Sequence, residues 1–331
     1  MTNNALLLEV KGLKMYYEVI GRGWVRAVDD ISFRQFKNEN LGIVGESGCG
    51  KSSLALTILR ILPPNARIVD GEILFNGMDL IKAPESEIRR NIRWKRISMV
   101  FQGAMNALNP ILTVGDQISE AILAHEDVSK EEAWKRAEEL LKMVGIEPSR
   151  SKHYPFEFSG GMKQRVMIAM ALALNPDLLI ADEPTTALDV IVQAQIINLI
   201  KRLQKELGLS LLLISHDVSL VFSISDHVAV MYAGEIVEYG PTSEIYHKSL
   251  HPYTHFLMDS VPDIKGRIRP LGSLGGAPPN LLNPPPGCRF HPRCPYALDE
   301  CKEKKPPMRS VSADHTVACH RIDELRAKWY G

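Results

Sequence analysis

Gly45-Glu46-Ser47-Gly48-Cys49-Gly50-Lys51-Ser52 follows directly on the apolar run Leu41-Gly42-Ile43-Val44. The pattern G-x-x-x-x-G-K-S behind a short apolar run predicts a strand, a glycine-rich turn and then a helix, the setting in which this motif holds phosphate. Glycines let backbone N–H groups turn inward around a phosphate chain with no side chain in the way. The helix expected from about Lys51 adds its positive dipole end. Lys51 is placed to reach the β- and γ-phosphates, and the Ser52 hydroxyl to hold Mg²⁺. Gly45, Glu46, Ser47, Gly48, Cys49, Gly50, Lys51, Ser52 and Ser53 are therefore the expected phosphate site. An ordinary glycine turn between strand and helix is the plainer alternative, and only the strand–loop–helix context argues against it.

A second element lies 131 positions beyond Lys51. Leu178-Leu179-Ile180-Ala181 is a short apolar run, as expected of a strand buried in a parallel sheet, and Asp182 and Glu183 follow at its end. Ligands in open α/β sheets collect at the carboxyl ends of strands. Asp182 suits a Mg²⁺ shell, and Glu183 suits the polarisation of an attacking water. Adjacent acids at a strand end are common by chance. Their weight comes from the phosphate loop that precedes them.

The bulk properties narrow the class. The formal net charge is zero, from 39 basic and 39 acidic residues, which argues against nucleic acid as the main partner. The longest apolar stretch, Val166 to Leu174, is far short of the roughly 20 residues a membrane span needs. Met1-Thr2-Asn3-Asn4 shows no basic region ahead of an apolar one, so no secretory leader is expected. The expectation is a soluble intracellular protein that could dock on a membrane protein. Composition changes near residue 260. Residues 260–331 hold 11 of the 21 prolines, four of the five cysteines, and 12 Lys and Arg against 7 Asp and Glu. This predicts a nucleotide-binding body and a proline-rich appendix that needs a local staple.

Between the two phosphate elements lies Tyr154-Pro155-Phe156-Glu157-Phe158-Ser159-Gly160-Gly161-Met162-Lys163-Gln164-Arg165. Here the chain resembles the ATP-binding cassette (ABC) ATPases, whose signature is usually Leu-Ser-Gly-Gly-Gln. Phe158 and Met162 depart from that pattern, while the Ser-Gly-Gly core is intact. Ser159 reads as an N-cap, with Gly160 and Gly161 exposing N–H groups at a helix start. The helix is expected to run on to Asn175-Pro176. A well-capped buried helix would look the same without the accompanying motifs. Other matching segments follow in family order. Gln102, after Val100-Phe101, matches the Q-loop glutamine, a Mg²⁺ and water contact. Asp189, after Ala187-Leu188, matches the D-loop, which touches the partner subunit. His216, behind Leu211-Leu212-Leu213-Ile214-Ser215, matches the switch histidine, a γ-phosphate contact. Tyr17 fits the adenine-stacking position, with Tyr16 as the rival and a core aromatic as the plain alternative.

The resemblance covers residues 5 to 245. It implies an α/β P-loop NTPase (RecA-like) nucleotide-binding domain with an antiparallel β-subdomain, a helical subdomain and a small irregular cysteine-rich C-terminal domain. The implied division is 1–250 for the cassette, with the helical subdomain at about 104–165, and 251–331 for the extension. By that likeness two subunits close head-to-tail on two ATP molecules. Ser159, Gly160, Gly161 and Met162 of one then cap the γ-phosphate on the other's loop, and Glu183, His216 and Gln102 serve hydrolysis. Within the helical insert, Ser129-Lys130-Glu131-Glu132 reads as a capping box, and Trp134, Ala137, Leu140, Leu141 and Val144 recur at helical spacing up to a stop at Gly145. Residues 103 to 110 would line a groove for a short helix of the membrane subunit.

Cys49 lies inside the phosphate loop and is given no redox task. Cys288, Cys294, Cys301 and Cys319 are separated by five, six and seventeen residues. Clustered thiols in an intracellular chain suggest a metal. The spacing lacks the C-x₂-C knuckle of zinc ribbons, and four thiolates equally suit a [4Fe–4S] cluster, whose negative charge the local basic excess would offset. His291, His315 or His320 could substitute as Zn²⁺ ligands, and free thiols or disulfides remain open. His251-Pro252-Tyr253-Thr254 with a proline- and cysteine-rich tail resembles ATPase subunits of dipeptide and oligopeptide importers, several of which carry a [4Fe–4S] cluster on such cysteines. That likeness implies a peripheral subunit on the cytoplasmic face of the membrane. Its implied partners are a second, distinct ABC ATPase, two permease subunits and an extracytoplasmic substrate-binding protein. Oligosaccharide or nickel import, a soluble non-transport ABC ATPase, and an iron–sulfur regulatory module that only binds ATP are the competing readings.

Overall fold

The computed structural model describes residues 5–103, 107–259 and 275–331. Met1 to Asn4 and three of the proposed groove residues, Ala104, Met105 and Asn106, lie outside them, as do residues 260–274. Two compact units account for the described chain. One comprises residues 82–213; the other joins residues 5–81 to 214–331.

In the second unit, four antiparallel strands lie in the order Gly23–Phe36, Leu6–Val19, Ala66–Phe75, Met78–Asp79. Period-two alternation turns one face inward: Ile31, Phe33 and Gln35 are buried, while Asp30, Ser32 and Arg34 are exposed. The strand Asn40–Val44 pairs in parallel with His227–Tyr232. Leu41, Ile43 and Val44 are wholly buried, as a strand covered on both faces requires. His227–Tyr232 then turns back on Glu235–Pro241 through Ala233-Gly234, both at positive φ (48° and 85°), the two-residue hairpin geometry that suits strand twist.

Residues after 275 belong to this same compact unit rather than to one of their own. The strand Thr316–Val317 extends the hairpin by pairing with Glu235–Pro241, and Arg309–Ser310 pairs beyond it. Beneath them Glu238, fully buried, accepts from the N–H groups of Leu250 (2.8 Å) and His251 (3.0 Å) and contacts His315 Nε2 at 2.8 Å. Leu250, Val317 and Ile322 form an apolar cluster there, and Phe290 packs against Tyr232 and Tyr253.

In the first unit, the strand Leu178–Asp182 lies between Ser210–Ile214 and Ile97–Val100 and pairs in parallel with the latter. The helix Lys130–Met143 starts as its sequence predicts: Ser129 Oγ accepts from Glu132 N at 3.1 Å. Ala133, Ala137, Leu140 and Leu141 are its buried residues. Trp134 is only half-buried, because its indole N–H donates to Glu138 at 3.0 Å, and Ala133 takes the inward place. The helix behind Ser159 covers Gly160–Ala171 and stops short of Asn175-Pro176. Leu172 N is shared between the carbonyls of Ile168 and Ala169, and Asn175 takes φ 51°, so the chain has left the helix before the proline acts.

Candidate active site

The phosphate loop joins the strand Asn40–Val44 to the helix Lys51–Ile58, whose N-cap is Gly50. Gly50 sits at φ 106°, and a Cβ there would lie 1.9 Å from the carbonyl oxygen of Ala27, so no other residue fits. Lys51 is 5% exposed. Its ammonium donates to the carbonyls of Gly45 (2.8 Å) and Glu46 (3.0 Å) and lies 3.7 Å from Cys49 Sγ. The sulfur is buried, and burial pushes the Cys49 thiol up, so it stays protonated. The cation is thus held on the inner side of the loop by oxygen atoms of the loop itself.

Around the loop, Tyr17 OH is 3.0 Å from the Ser53 hydroxyl, one residue past Ser52. Tyr16 OH instead donates to Asp29 at 2.6 Å. The two tyrosines occupy opposite faces of one strand, and Tyr17 has the face toward the loop's helix. Ser215 N donates to Ile43 O at 3.2 Å, which fixes the backbone just before His216 against the strand that feeds the loop. Asp217 then caps the helix Val218–Ile224 through Leu220 N at 3.0 Å. The His216 ring is exposed.

The acidic elements stand in the other unit. Asp182 ends its strand and is buried. Glu183 follows at φ 47°. Its Oε2 accepts from Gln102 Nε2 and from Thr186 Oγ1, each at 2.9 Å. Two donors on one oxygen fix the direction of the carboxyl group. The donor end of the Gln102 amide goes to Glu183; the oxygen end is the one that could ligate Mg²⁺. Sequence reasoning missed Thr186. Its position three residues past Glu183 was the available signal, because a hydroxyl in a tight turn commonly bonds back along the chain.

The Ser159 hydroxyl accepts from Met162 N at 3.4 Å and caps its helix. Phe158 is buried, with the Arg150 guanidinium 6.0 Å over its ring. A Cβ on Gly161 would lie 2.6 Å from Val192 Cγ1, so this glycine is also set by packing against the helix Val190–Leu207. Asp189 caps that helix, accepting from Val192 N at 2.9 Å. The signature turn and the segment at Asp189 therefore meet within one unit.

The four distal cysteines, Cys288, Cys294, Cys301 and Cys319, line one cavity together with His251, His291 and His320. All are free thiols. Burial pushes the Cys288 thiol up to about 12 and those of Cys294 and Cys319 up to about 11, each reinforced by charge on neighbouring cysteines. Four soft donors on one cavity suit thiolate ligation, although among the described residues no three His, Cys, Asp or Glu groups close into a ready metal site. His315 is bound to Glu238 and does not line the cavity. Of the tail's basic residues Arg321 lines the cavity, but three others are directed away from the thiols. Arg289, Arg293 and Lys305 pair with Asp29, Glu46 and Asp30 of the body.

Comparison with known proteins matches residues 28–186 to the ABC transporter family and residues 237–301 to the oligopeptide/dipeptide transporter C-terminal region. The dipeptide transport ATP-binding protein DppD of Bacillus subtilis is 47% identical over 321 residues, covering 96% of this chain and 95% of that one. The oligopeptide transport ATP-binding protein OppD of the same organism is 49% identical over 315 residues, covering 94% and 87%. Among solved structures, the ATP-binding cassette MJ0796, described as a dimer in a post-hydrolysis state bound to ADP and Pi, matches with TM-score 0.63 at 30% identity, over 71% of this chain and 99% of that one. With its phosphate loop, its acidic strand end, its Ser-Gly-Gly helix start and relatives alike along nearly their whole length, this chain belongs to the ABC transporter ATP-binding proteins of the dipeptide and oligopeptide branch.

Proposed function

We propose that the chain is the ATP-hydrolysing subunit that drives import of dipeptides or oligopeptides through a membrane ABC transporter. What carries the reading is that the likeness runs through both the cassette and the tail, since residues 237–301 match a region named for these transporters. Among the described residues no helix is long and apolar enough to cross a membrane, so the membrane path has to come from other subunits. ABC ATPase chemistry implies ATP and Mg²⁺.

In this reading Lys51 and the loop N–H groups hold the β- and γ-phosphates, and Ser52, Asp182 and Gln102 supply oxygen ligands to Mg²⁺. Glu183 accepts the proton of the attacking water, oriented by Gln102 and Thr186, and His216 steadies the γ-phosphate. Tyr17 stacks on the base. Ser159, Gly160, Gly161 and Met162, with Asp189, act on the nucleotide of a second ATPase subunit, which makes hydrolysis depend on dimer closure. Residues 1–250 serve as the cassette and 251–331 as the extension. The partners are a second ATPase subunit, two permease subunits and an extracytoplasmic binding protein, with the chain on the cytoplasmic face. Cys288, Cys294, Cys301 and Cys319 would hold a [4Fe–4S] cluster, with Zn²⁺ as the alternative. Either group would tie the tail together.

The test is ATPase activity of the chain assembled with its permease and partner subunits, with the binding protein empty or loaded. Stimulation by peptide-loaded binding protein is expected. Stimulation only by a sugar or nickel would replace the cargo, and no stimulation by any loaded form would contradict the transport reading. Iron, sulfide and zinc analysis of anaerobically purified protein tests the cysteine group.

A further inference from the structure

One short turn of the tail holds the phosphate loop directly at Glu46 and is linked to Cys49 only through the Ala233-Gly234 hairpin turn. The turn runs from Cys288 to Cys294 and is closed by its own backbone: His291 N donates to Cys288 O (2.9 Å), Arg293 N to Phe290 O (3.0 Å) and Cys294 N to His291 O (3.3 Å). Arg293 leaves this turn with a side chain only 7% exposed. Its two terminal nitrogens donate to the two carboxylate oxygens of Glu46, at 2.8 and 3.0 Å. Its Nε donates to Gly275 O at 3.0 Å, and Nη1 also reaches Tyr232 OH at 3.2 Å. The same loop residue is held a second time, because Glu46 N donates to Tyr253 OH at 2.9 Å. Both the side chain and the amide of Glu46 therefore end on groups outside the loop.

At the loop's far end the grip comes from Arg289, four residues earlier. Its guanidinium donates to Ala233 O and to the Asp29 carboxylate. Gly234, next in the hairpin, donates its N–H to Cys49 O at 2.9 Å and accepts from Asp29 N at 2.8 Å. Glu46 and Cys49 bracket the part of the loop that must wrap a phosphate, and each is tied through an arginine of the same turn.

The electrostatics give this geometry a consequence. The loop offers N–H groups and a lysine to an anion, yet Glu46 puts a carboxylate on its second residue. A carboxylate left uncompensated there would repel phosphate. A guanidinium that meets both oxygens cancels that charge and fixes its direction, which a point-charge ammonium cannot do. We infer that Arg293 is a positioning residue for nucleotide binding, so that the tail sets the affinity of the phosphate loop for ATP. The inference rests on that loop being the nucleotide site. A pair that served stability alone would change the unfolding temperature and leave affinity untouched.

The experiment is an equilibrium titration of the full-length chain with a fluorescent ATP analogue and Mg²⁺, alongside thermal unfolding without nucleotide. Arg293→Gln is expected to weaken binding by about tenfold, within the range of coupling between linked sites. Arg293→Lys should fall between it and the parent, and it carries the test should the glutamine variant fold poorly. The double variant R293Q/E46Q removes the charge that Arg293 had balanced, and should bind the analogue more tightly than R293Q even if it melts as low. Parent-like affinity in folded R293Q or R293K would overturn the inference, as would a double variant as weak as R293Q. A parent chain that binds no analogue would overturn the nucleotide reading itself, and this inference with it.

Discussion

The phosphate loop and the acidic strand end are the two elements that the proposed function rests on, and they are held in opposite ways, each within its own unit. Glu183 is fixed from close by: Thr186 is three residues away, and Gln102 stands just past the strand paired with its own. The phosphate loop is fixed from afar. Tyr253 and Arg293, its partners at Glu46, lie 207 and 247 residues along the chain. The acidic end is thus a local device that its own unit maintains. The loop is a motif tied to a tail that carries its own cavity of thiols.

The sharpest way to break that contrast is to cut the far anchor. Arg289 is 5% exposed, and its loss leaves Asp29 without its guanidinium. Arg289→Ala should cost about 3 to 5 kcal/mol of stability, as removing one partner of a buried pair does. It should also loosen the loop, seen as faster hydrogen exchange at residues 45–50. Unchanged exchange there would show that the loop stands without the tail.

Acid offers a milder cut at the same place. His251 is 1% exposed, and its Nδ1 accepts from Tyr253 N at 3.1 Å, so the ring is neutral with its proton on Nε2. Burial holds its pKa down at about 3 from an ordinary 6.5. A depressed pKa means that the unfolded chain takes up the proton first. The stabilisation is present above about pH 6.5 and is lost as pH falls toward 3. Between pH 7 and pH 5 this amounts to about 2 kcal/mol. Denaturant unfolding at the two pH values should show the loss, and His251→Asn, which keeps an acceptor for Tyr253 N, should flatten it.

The local side of the contrast predicts smaller and separable effects. Thr186→Ala removes one hydrogen bond to Glu183, worth about 1 kcal/mol. Hydrolysis should slow by about fivefold with ATP affinity unchanged. A matching fall in affinity would mean that the two halves are not independently held. Ser129→Ala, at the cap of the helix Lys130–Met143, should cost about 1 kcal/mol and leave both nucleotide affinity and hydrolysis as they are.

The same division explains what the sequence could tell. The strand, loop and helix at Asn40–Ile58, the caps at Ser129 and Ser159, and the buried strand ending in Asp182 all depend on neighbours within a few residues, so pattern and spacing reveal them. The end of the helix behind Ser159 was misplaced, because a shared hydrogen bond at Leu172 and a left-handed Asn175 stop it before Pro176 does. The tail was hardest to read. Its excess of positive charge was visible in composition, and the natural expectation set it against a thiolate cluster. In the fold, Arg289, Arg293 and Lys305 answer carboxylates near the chain's beginning, and no local pattern marks partners so far apart. His315 stood among the possible metal ligands for the same reason, since its buried partner Glu238 lies 77 residues away.

The most direct measurement is ATP turnover by the Glu183→Gln variant in the assembled complex, with ATP binding measured on the same preparation. Loss of the proton acceptor should lower turnover at least about 100-fold while ATP is still bound. A variant that binds ATP and hydrolyses it at the parent rate would contradict the assignment of this chain's chemistry to its acidic strand end.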